Sequence, residues 1–457
     1  MPQRKLDVVL DSVRRLQRMG ATANLVNLLQ KQHPADLAQL FAELTQKDRV
    51  SAFSLLLERN PRLAMEALSE LEPDAGAALL ADRPADEIVK LTQELPSDDA
   101  AAIIDYLPEE LSASVLELMQ KRPAGGDVGE LLEYDEQTAG RIMNPRVFAL
   151  SEEMTAGEAI SALQGSRDVE VVFYLYVVDA RRHLVGVVSL RRLLLVSTAT
   201  PLKRIMTTDL ISVRVETDQE EVARQVASYN LLAIPVVDEE NKLVGVITVD
   251  DIIDVIKDEA TEDVYRLAGV SGDDRVFTSP GDSLRKRLPW LMVNLCTAFV
   301  AALVVSRFEG TIAVFTALAV FMPVVAGMGG NAATQTLTVI VRGIALGELT
   351  WSNTRQALLK EAVVGAGNGL ACGVIGGLIA WLAYGNPVLG LILGMAMVIN
   401  MFVAAVAGTL IPLTLRALKI DPALASAVFI TTLTDVFGFL SFLGLATLFL
   451  RHLHVAE

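Results

Sequence analysis

The chain has 457 residues, 52% of them hydrophobic, with a mean hydropathy of +0.42 and a formal net charge of −16. That length allows two or three domains. The hydropathy is high for a wholly soluble chain, and the acidic balance excludes a nucleic-acid binder, which needs a basic stripe, while favouring cations as partners. The two cysteines, Cys296 and Cys372, both lie in apolar runs, so neither a disulfide framework nor a zinc site is expected.

Charge is divided unevenly along the chain. Residues 1–287 carry 49 Asp/Glu against 32 Lys/Arg, whereas residues 288–457 carry 6 and 7. An acidic front therefore precedes an apolar back. The start, MPQRKLDVVLDSVRR, has no long apolar core of a signal peptide, so the front half is expected to stay in the cytoplasm. Within residues 33–122, Pro73, Pro84, Pro96 and Pro108 are spaced 11, 12 and 12 apart, each followed by acids: Asp74, Asp86 and Glu87, Asp98 and Asp99, Glu109 and Glu110. Proline at a helix start with carboxylates behind it suits the positive end of the helix dipole. With Leu/Ala/Ile periodicity between, this predicts a superhelix of short helices. The plainer account of most of these acids is a solvated, well-capped surface.

A sharper repeat follows. RIMNPRVFALSEEMTAGEAI (Arg141–Ile160) returns as RIMTTDLISVRVETDQEEVA (Arg204–Ala223), and YVVDARRHLVGVVSLRRLL (Tyr176–Leu194) returns as PVVDEENKLVGVITVDDII (Pro235–Ile253), at offsets of 63 and 59. Each copy alternates Val/Ile-rich strands with helical stretches. The doubled pattern resembles a tandem pair of CBS domains, modules that regulate rather than catalyse. The resemblance implies an adenine-nucleotide turn of the form G-h-h-[ST]-x-x-D. The second copy has it as Gly245, Thr248 and Asp251. The first has Gly186 and Ser189 but Arg192 in the acid's place, leaving Tyr176, Ser189 and Arg191 as candidates to line a cleft. Next comes DIIDVIKDEATEDVYRLAGV (Asp251–Val270), a helical stretch crowded with acids. Like charges at i, i+4 oppose helix formation, so the stretch calls for a counterion or basic partner, or else is an ordinary solvated helix. Its place just before the apolar half makes it a natural lever.

Five apolar segments then follow: residues 288–306, 312–341, 362–384, 388–415 and 423–450. Each reaches the ~20 residues a helix needs to cross a bilayer. Arg285, Lys286 and Arg287 precede the first; Arg342, Arg355 and Lys360 separate the second and third; Arg416 and Lys419 separate the fourth and fifth. Positive charge on alternate loops predicts a cytoplasmic N-terminus and an external C-terminus. GAGNGLACGVIGG (Gly365–Gly377) permits close helix approach. PVVAGMGGNAATQT (Pro323–Thr336) reads as an interrupted helix, since Pro323 removes a donor and the Gly329–Gly330 pair loosens the backbone before Asn331. Broken backbone at membrane depth is tolerated only inside protein or beside a wet cavity. In FITTLTDVFGF (Phe429–Phe439), Asp435 is read as the only ionisable residue deep in a span. A charged carboxylate there costs roughly 2.5–3.5 kcal/mol on insertion scales and marks function. The broken helix and lone acid together read as a cation path; the bland alternative is a protonated Asp435 bonded to a neighbouring threonine. Oxygen ligands without thiolates or clustered histidines argue against copper or zinc as cargo, and His33, His183, His452 and His454 are scattered. No nucleophile–base pair, Walker loop or metalloprotease motif points to an enzyme.

The acidic superhelix, CBS pair, acidic connecting helix and five spans carrying PVVAGMGGNAATQT and TTLTDVFGF together resemble the MgtE family of bacterial magnesium channels, over nearly the full chain. The resemblance implies a multidomain fold: an all-α superhelical N domain (1–134), an α/β CBS pair (135–200 and 201–255), a connecting helix and linker (256–284) and a five-span membrane domain (285–457). It implies a homodimer in the inner membrane, lipid around it, with the pore on the two-fold axis, Asp435 as pore carboxylate, and Pro323, Gly329, Gly330 and Asn331 lining the pore. It also implies regulatory Mg2+ held by Glu66, Asp98, Asp135, Asp218, Glu220, Asp251, Asp254, Glu259, Glu262 and Asp263, with ATP as a possible CBS ligand. Asn230 and Ala102 stand where some relatives have aspartate. The expected function is Mg2+ entry down its gradient, shut by cytosolic Mg2+. The rivals are a channel for Mn2+ or Co2+, and a membrane-anchored adenylate sensor that moves no ion.

Overall fold

A computed structural model describes residues 3–121, 126–166, 174–270, 274, 276, 278–423 and 426–449. His452 and His454 lie outside the described residues, as do positions 424, 425 and 450 of the expected fifth span. The chain forms two compact units, Met1–Ile256 and Lys257–Glu457.

The first unit begins with short helices: α1 (Gln3–Arg18), α2 (Thr22–Leu29), α3 (Pro34–Ala42), α4 (Gln46–Arg59), α5 (Pro61–Ser69), α6 (Pro73–Leu80), α7 (Ala85–Leu91), α8 (Ser97–Asp105), α9 (Glu109–Gln120) and α10 (Gly126–Glu133). The proline repeat sets their starts. Pro73 is the first residue of α6, and Pro84, Pro96 and Pro108 cap α7, α8 and α9, with the acids in each first turn. Proline's fixed φ and missing N–H cost nothing where the helix has no donor to lose. Leu, Ile and Ala from successive helices share one continuous core.

Two related α/β modules follow, made of α11 (Ala139–Ile142), β1 (Ala149–Ser151), α12 (Ala156–Gly165), β2 (Tyr174–Val178), β3 (Leu184–Ser189) and α13 (Leu190–Leu195), then β4 (Val213–Arg214), α14 (Gln219–Tyr229), β5 (Ala233–Val237) and β6 (Leu243–Thr248). The sheets run β1-β2-β3 and β4-β5-β6, each with its first pair parallel and second antiparallel. The RIM motifs are exchanged. Asn144 donates to the Val246 carbonyl at 2.8 Å, and Ala139 and Gly140 donate to Thr217 and Val215. Met143 thus rests on Gly245, while Met206 rests on Gly186. The lead-in to the first copy packs in the core of the second: Ala139 and Met143 join Val213, Ile234 and Ile247. Leu202 and Ile205 instead complete the core of the first copy. The helix α15 (Val249–Leu267) continues from β6.

The second unit contains α16 (Pro280–Ser306), α17 (Glu309–Val314), α18 (Ala317–Ala345), α19 (Thr354–Tyr384), α20 (Pro387–Ala417) and α21 (Ser426–Leu448). Five of these are long and apolar enough to cross a membrane. α20 is central, with over half of its apolar window buried, and α16 is outermost, at 6%. Gly365, Gly369, Gly373 and Gly377 face α20, where a Cβ on Gly377 would meet the Gly390 carbonyl and one on Gly373 the Gly394 carbonyl. Backbones this close are how membrane helices gain packing without a hydrophobic driving force.

Two expectations change. α18 is continuous through Pro323, Gly329 and Gly330; the chain breaks earlier, at Phe315–Thr316. Proline near a helix start forfeits one bond, which neighbouring helices can offset. Also, α19 starts eight residues before the apolar segment does, which brings Glu361 inside the helix and buries it. Asp435 is therefore not the only acid in the membrane helices.

Candidate functional site

Asp435 lies mid-way along α21 and is half-buried. Among the described residues no hydrogen bond or ion pair reaches its carboxylate; Thr431, Thr432 and Thr434 each turn their hydroxyl to a carbonyl of their own helix. This removes the reading in which a neighbouring threonine satisfies Asp435. On α18, Pro323, Asn331, Thr334 and Gln335 are exposed and Gly330 half-exposed, so they form an open polar face of the bundle. Gly329 does not share that face. It is buried against Asn400 of α20.

Glu361 was not anticipated. Its carboxylate accepts from the Thr336 hydroxyl of α18 at 3.2 Å and from the Lys360 ammonium at 2.5 Å. The signal was present: Glu361 continues the every-fourth-residue stripe of Gly365, Gly369, Gly373 and Gly377 one turn back. Glu361, Lys360, Gln356, Asn353 and Glu348 border a cavity of about 340 Å³ between α18 and the start of α19.

The regulatory candidates fall into separate groups. On the first unit, Asp98 in the first turn of α8 and Asp251 in the first turn of α15 repel one another. Burial, then Asp251 and Asp99, push the Asp98 carboxyl well up, and its Oδ1 is buried without a hydrogen-bond partner among the described residues. Burial pushes Asp251 up to about 6, although the Thr248 hydroxyl donates to it at 2.7 Å. Such a pair is costly unless a cation joins it. Elsewhere on this unit, Glu66 is paired with Arg62 at 2.8 Å, Asp135 and Glu220 are exposed, and Asp218 caps α14 by accepting from the Glu220 N–H at 2.8 Å. Asn230 ends α14 at φ 51°, a left-handed conformation that asparagine tolerates better than most residues.

On the second unit, Glu262 and Asp421 both pair with Arg266, and Asp263 stands beside them. Burial pushes Asp263 up; Asp421 and Glu262 add to this, and the Arg266 guanidinium opposes it. Leu267 packs next to Ala333, Leu337 and Ile430, so the end of α15 is seated on α18 and α21. Glu259 is half-buried; Asp254, on the part of α15 that belongs to the first unit, is exposed. Among the described residues no three His, Cys, Asp or Glu side chains gather closely enough to enclose a metal. Magnesium does not require such a cage, because it keeps several waters and binds through one or two carboxylates. The all-oxygen Asp98–Asp251 pair fits that habit.

Of the nucleotide candidates, Ser189 caps α13 and Arg191 is exposed, whereas Tyr176 is buried among Val178, Leu184 and Leu243. Its ring therefore packs between the two copies rather than lining an open cleft.

Family profiles match in the same order as these elements. The profile for the MgtE intracellular N domain matches residues 32–137, the CBS domain matches 139–198 and 202–258, and the MgtE divalent cation transporter profile matches 322–445. The magnesium transporter MgtE of Thermus thermophilus is 39% identical over 329 residues, covering 71% of this chain and 73% of that protein. The chain belongs to the MgtE family. The magnesium transporter MgtE of Enterococcus faecalis, another member, is 39% identical over 328 residues, covering 72% of each. A crystal structure of the cytosolic domain of the Mg2+ channel MgtE in complex with ATP matches with a TM-score of 0.50 and 36% identity, over 54% of this chain and 99% of that one. With five membrane-length apolar helices, the chain is a multi-pass membrane protein.

Proposed function

We propose that this protein carries Mg2+ across the inner membrane as a channel, down the ion's electrochemical gradient, and that cytosolic Mg2+ closes it. The observation that carries the reading is Asp435, an intramembrane carboxylate with no partner among the described residues. In a homodimer two copies of Asp435 would face a shared axis and share one hydrated divalent cation. Magnesium sheds water reluctantly, so two carboxylates offset its charge while the amide of Asn331 and its neighbours bond the retained waters. Basic residues at Arg285–Arg287, Arg342, Arg355, Lys360, Arg416 and Lys419 support a cytoplasmic N-terminus and an external C-terminus.

Closure follows from the acidic front. Without bound cation, Asp98 and Asp251 repel; with Mg2+ between them, the helical domain and the start of α15 are held together. Glu259, Glu262 and Asp263 on the later turns of α15 bring the same charge to the end seated on α18 and α21. Binding that favours the closed arrangement by about 5.5 kcal/mol shifts a 1:99 equilibrium to 99:1, and several weak oxygen sites acting together supply that order of energy. Glu66, Asp135, Asp218, Glu220 and Asp254 are assigned the same role by family resemblance. ATP is assigned to the CBS pair by family resemblance, with Thr248, Asp251, Ser189 and Arg191 as its contacts.

Magnesium flux into proteoliposomes tests the first part. Asp435→Ala should abolish flux while the protein still assembles; undiminished flux would remove Asp435 from the path. Deleting residues 1–270 tests the second. An open pore insensitive to Mg2+ is expected, and a folded truncation that stays Mg2+-inhibited would end the gating scheme.

A further inference from the structure

Asn400 is a single polar residue in the apolar run MAMVINMFVAAVAG of the central helix α20. It is 1% exposed. Its amide nitrogen donates to the Val325 carbonyl of α18 at 2.9 Å, and its Oδ1 is buried with no hydrogen-bond partner among the described residues. Two glycines make room for it. A methyl group on Gly329 of α18 would overlap the amide, and one on Gly438 of α21 would lie 2.7 Å from its nitrogen. The three helices therefore meet at one amide.

The surroundings show that this layer is distinct. To one side along the helices lies an apolar cluster containing Val325, Ala396, Met397 and Phe442; to the other lies a second containing Ala333, Ala404 and Ile430. Leucine has the same branched outline and would sit between two apolar layers without a polar cost. A buried amide in an apolar helical bundle instead fixes register and rotation, usually at the expense of stability. The rotation matters here because of what the two partner helices carry. At 100° per residue, holding Gly329 toward α20 turns Asn331 to the opposite side of α18, and holding Gly438 toward α20 leaves Asp435 one turn away and about 60° round on α21.

We propose that Asn400 is a positioning residue: its amide, seated between Gly329 and Gly438, sets the rotation and separation of α18 and α21, and so sets how the path at Asp435 discriminates among divalent cations. This rests on the reading of Asp435 as part of the path.

The test uses the full-length protein in liposomes, with Mg2+ and Mn2+ influx measured separately and assembly followed by size-exclusion elution. Asn400→Leu keeps the branched outline, with bulkier tips, and removes the donor. It should assemble like the wild type yet change the Mg2+ to Mn2+ flux ratio at least threefold. An unchanged ratio overturns the proposal. Gly438→Ala with Asn400→Ala supplies the second arm, because the added methyl fits the space the amide vacates. The pair should assemble and conduct while keeping the altered ratio, and a wild-type ratio would show that packing alone suffices. If Asn400→Leu does not assemble, this pair decides. Asp435→Ala is run alongside: full flux there defeats the path reading itself, whereas lost flux there with an unchanged ratio in Asn400→Leu defeats only the role given to Asn400.

Discussion

Replacing Asp251 with asparagine should make the metal-free cytosolic part more stable and less responsive to magnesium. Burial pushes the Asp251 carboxyl up to about 6, against about 3.9 for a free aspartate. A difference of that size corresponds to about 3 kcal/mol held against the charged, folded form at neutral pH. The sign follows from the raised value. The charge costs nothing below the unfolded value, where the group is protonated in both states, and stability is lost as pH rises through 6. Between pH 5 and pH 7 the loss from this group is on the order of 1 kcal/mol. Asparagine retains an oxygen that can accept from Thr248, as Asp251 does at 2.7 Å, and removes the repulsion felt by Asp98. For a fragment ending at Val270, a gain of up to about 3 kcal/mol would raise the Tm by roughly 5–10 °C. Scanning calorimetry at pH 5, 6 and 7, with and without Mg2+, reads all of this. The wild type should gain stability on acidification and on adding Mg2+. Asp251→Asn should start higher, vary less with pH and gain less from Mg2+. An Asp251→Asn fragment no more stable than wild type without metal, with the same magnesium-induced rise, would refute the reasoning that Asp98 and Asp251 form a cation-requiring pair.

Other residues give independent tests. Arg266→Ala leaves Glu262, Asp263 and Asp421 facing one another without their guanidinium. The end of α15 should then stay docked only with Mg2+, seen as lower amide protection factors over Tyr265–Val270 without Mg2+ than with it at one pH; equal protection would show that Leu267 alone holds it. Glu361→Leu strands the buried Thr336 hydroxyl and leaves the exposed Lys360 ammonium to solvent, with an expected cost of about 1–3 kcal/mol and a lower unfolding temperature in detergent; Glu361→Gln should cost less. Met206→Ala removes the part-buried side chain seated on Gly186 and should destabilise the first CBS module by about 1–3 kcal/mol, measured by urea unfolding of the cytosolic fragment.

Much of the architecture is determined by local rules and was legible before any coordinate. Hydropathy and length alone mark five spans, because a bilayer imposes a fixed thickness on every helix that crosses it. Proline followed by carboxylates marks the starts of α6 to α9, since helix ends have unpaired donors wherever they occur. The doubled RIM and LVGV motifs identify the paired modules, and the lone acid in FITTLTDVFGF identifies Asp435. What the tertiary structure decided depends on partners distant in the chain. Two lead-ins that share the same RIM motif cannot say which sheet each joins, and only packing sends Met143 to Gly245 and Met206 to Gly186. Pro323 and the Gly329–Gly330 pair predict a broken helix by propensity, yet α18 runs on, because helices packed around it hold what the isolated segment would not. Glu361 falls one residue outside an apolar window, but a helix begins where its hydrogen bonds begin, eight residues before that window. The seating of Asn400 between Gly329 and Gly438 joins three segments that are more than thirty residues apart. Composition cannot carry that information, because it resides in the rotation of each helix about its own axis.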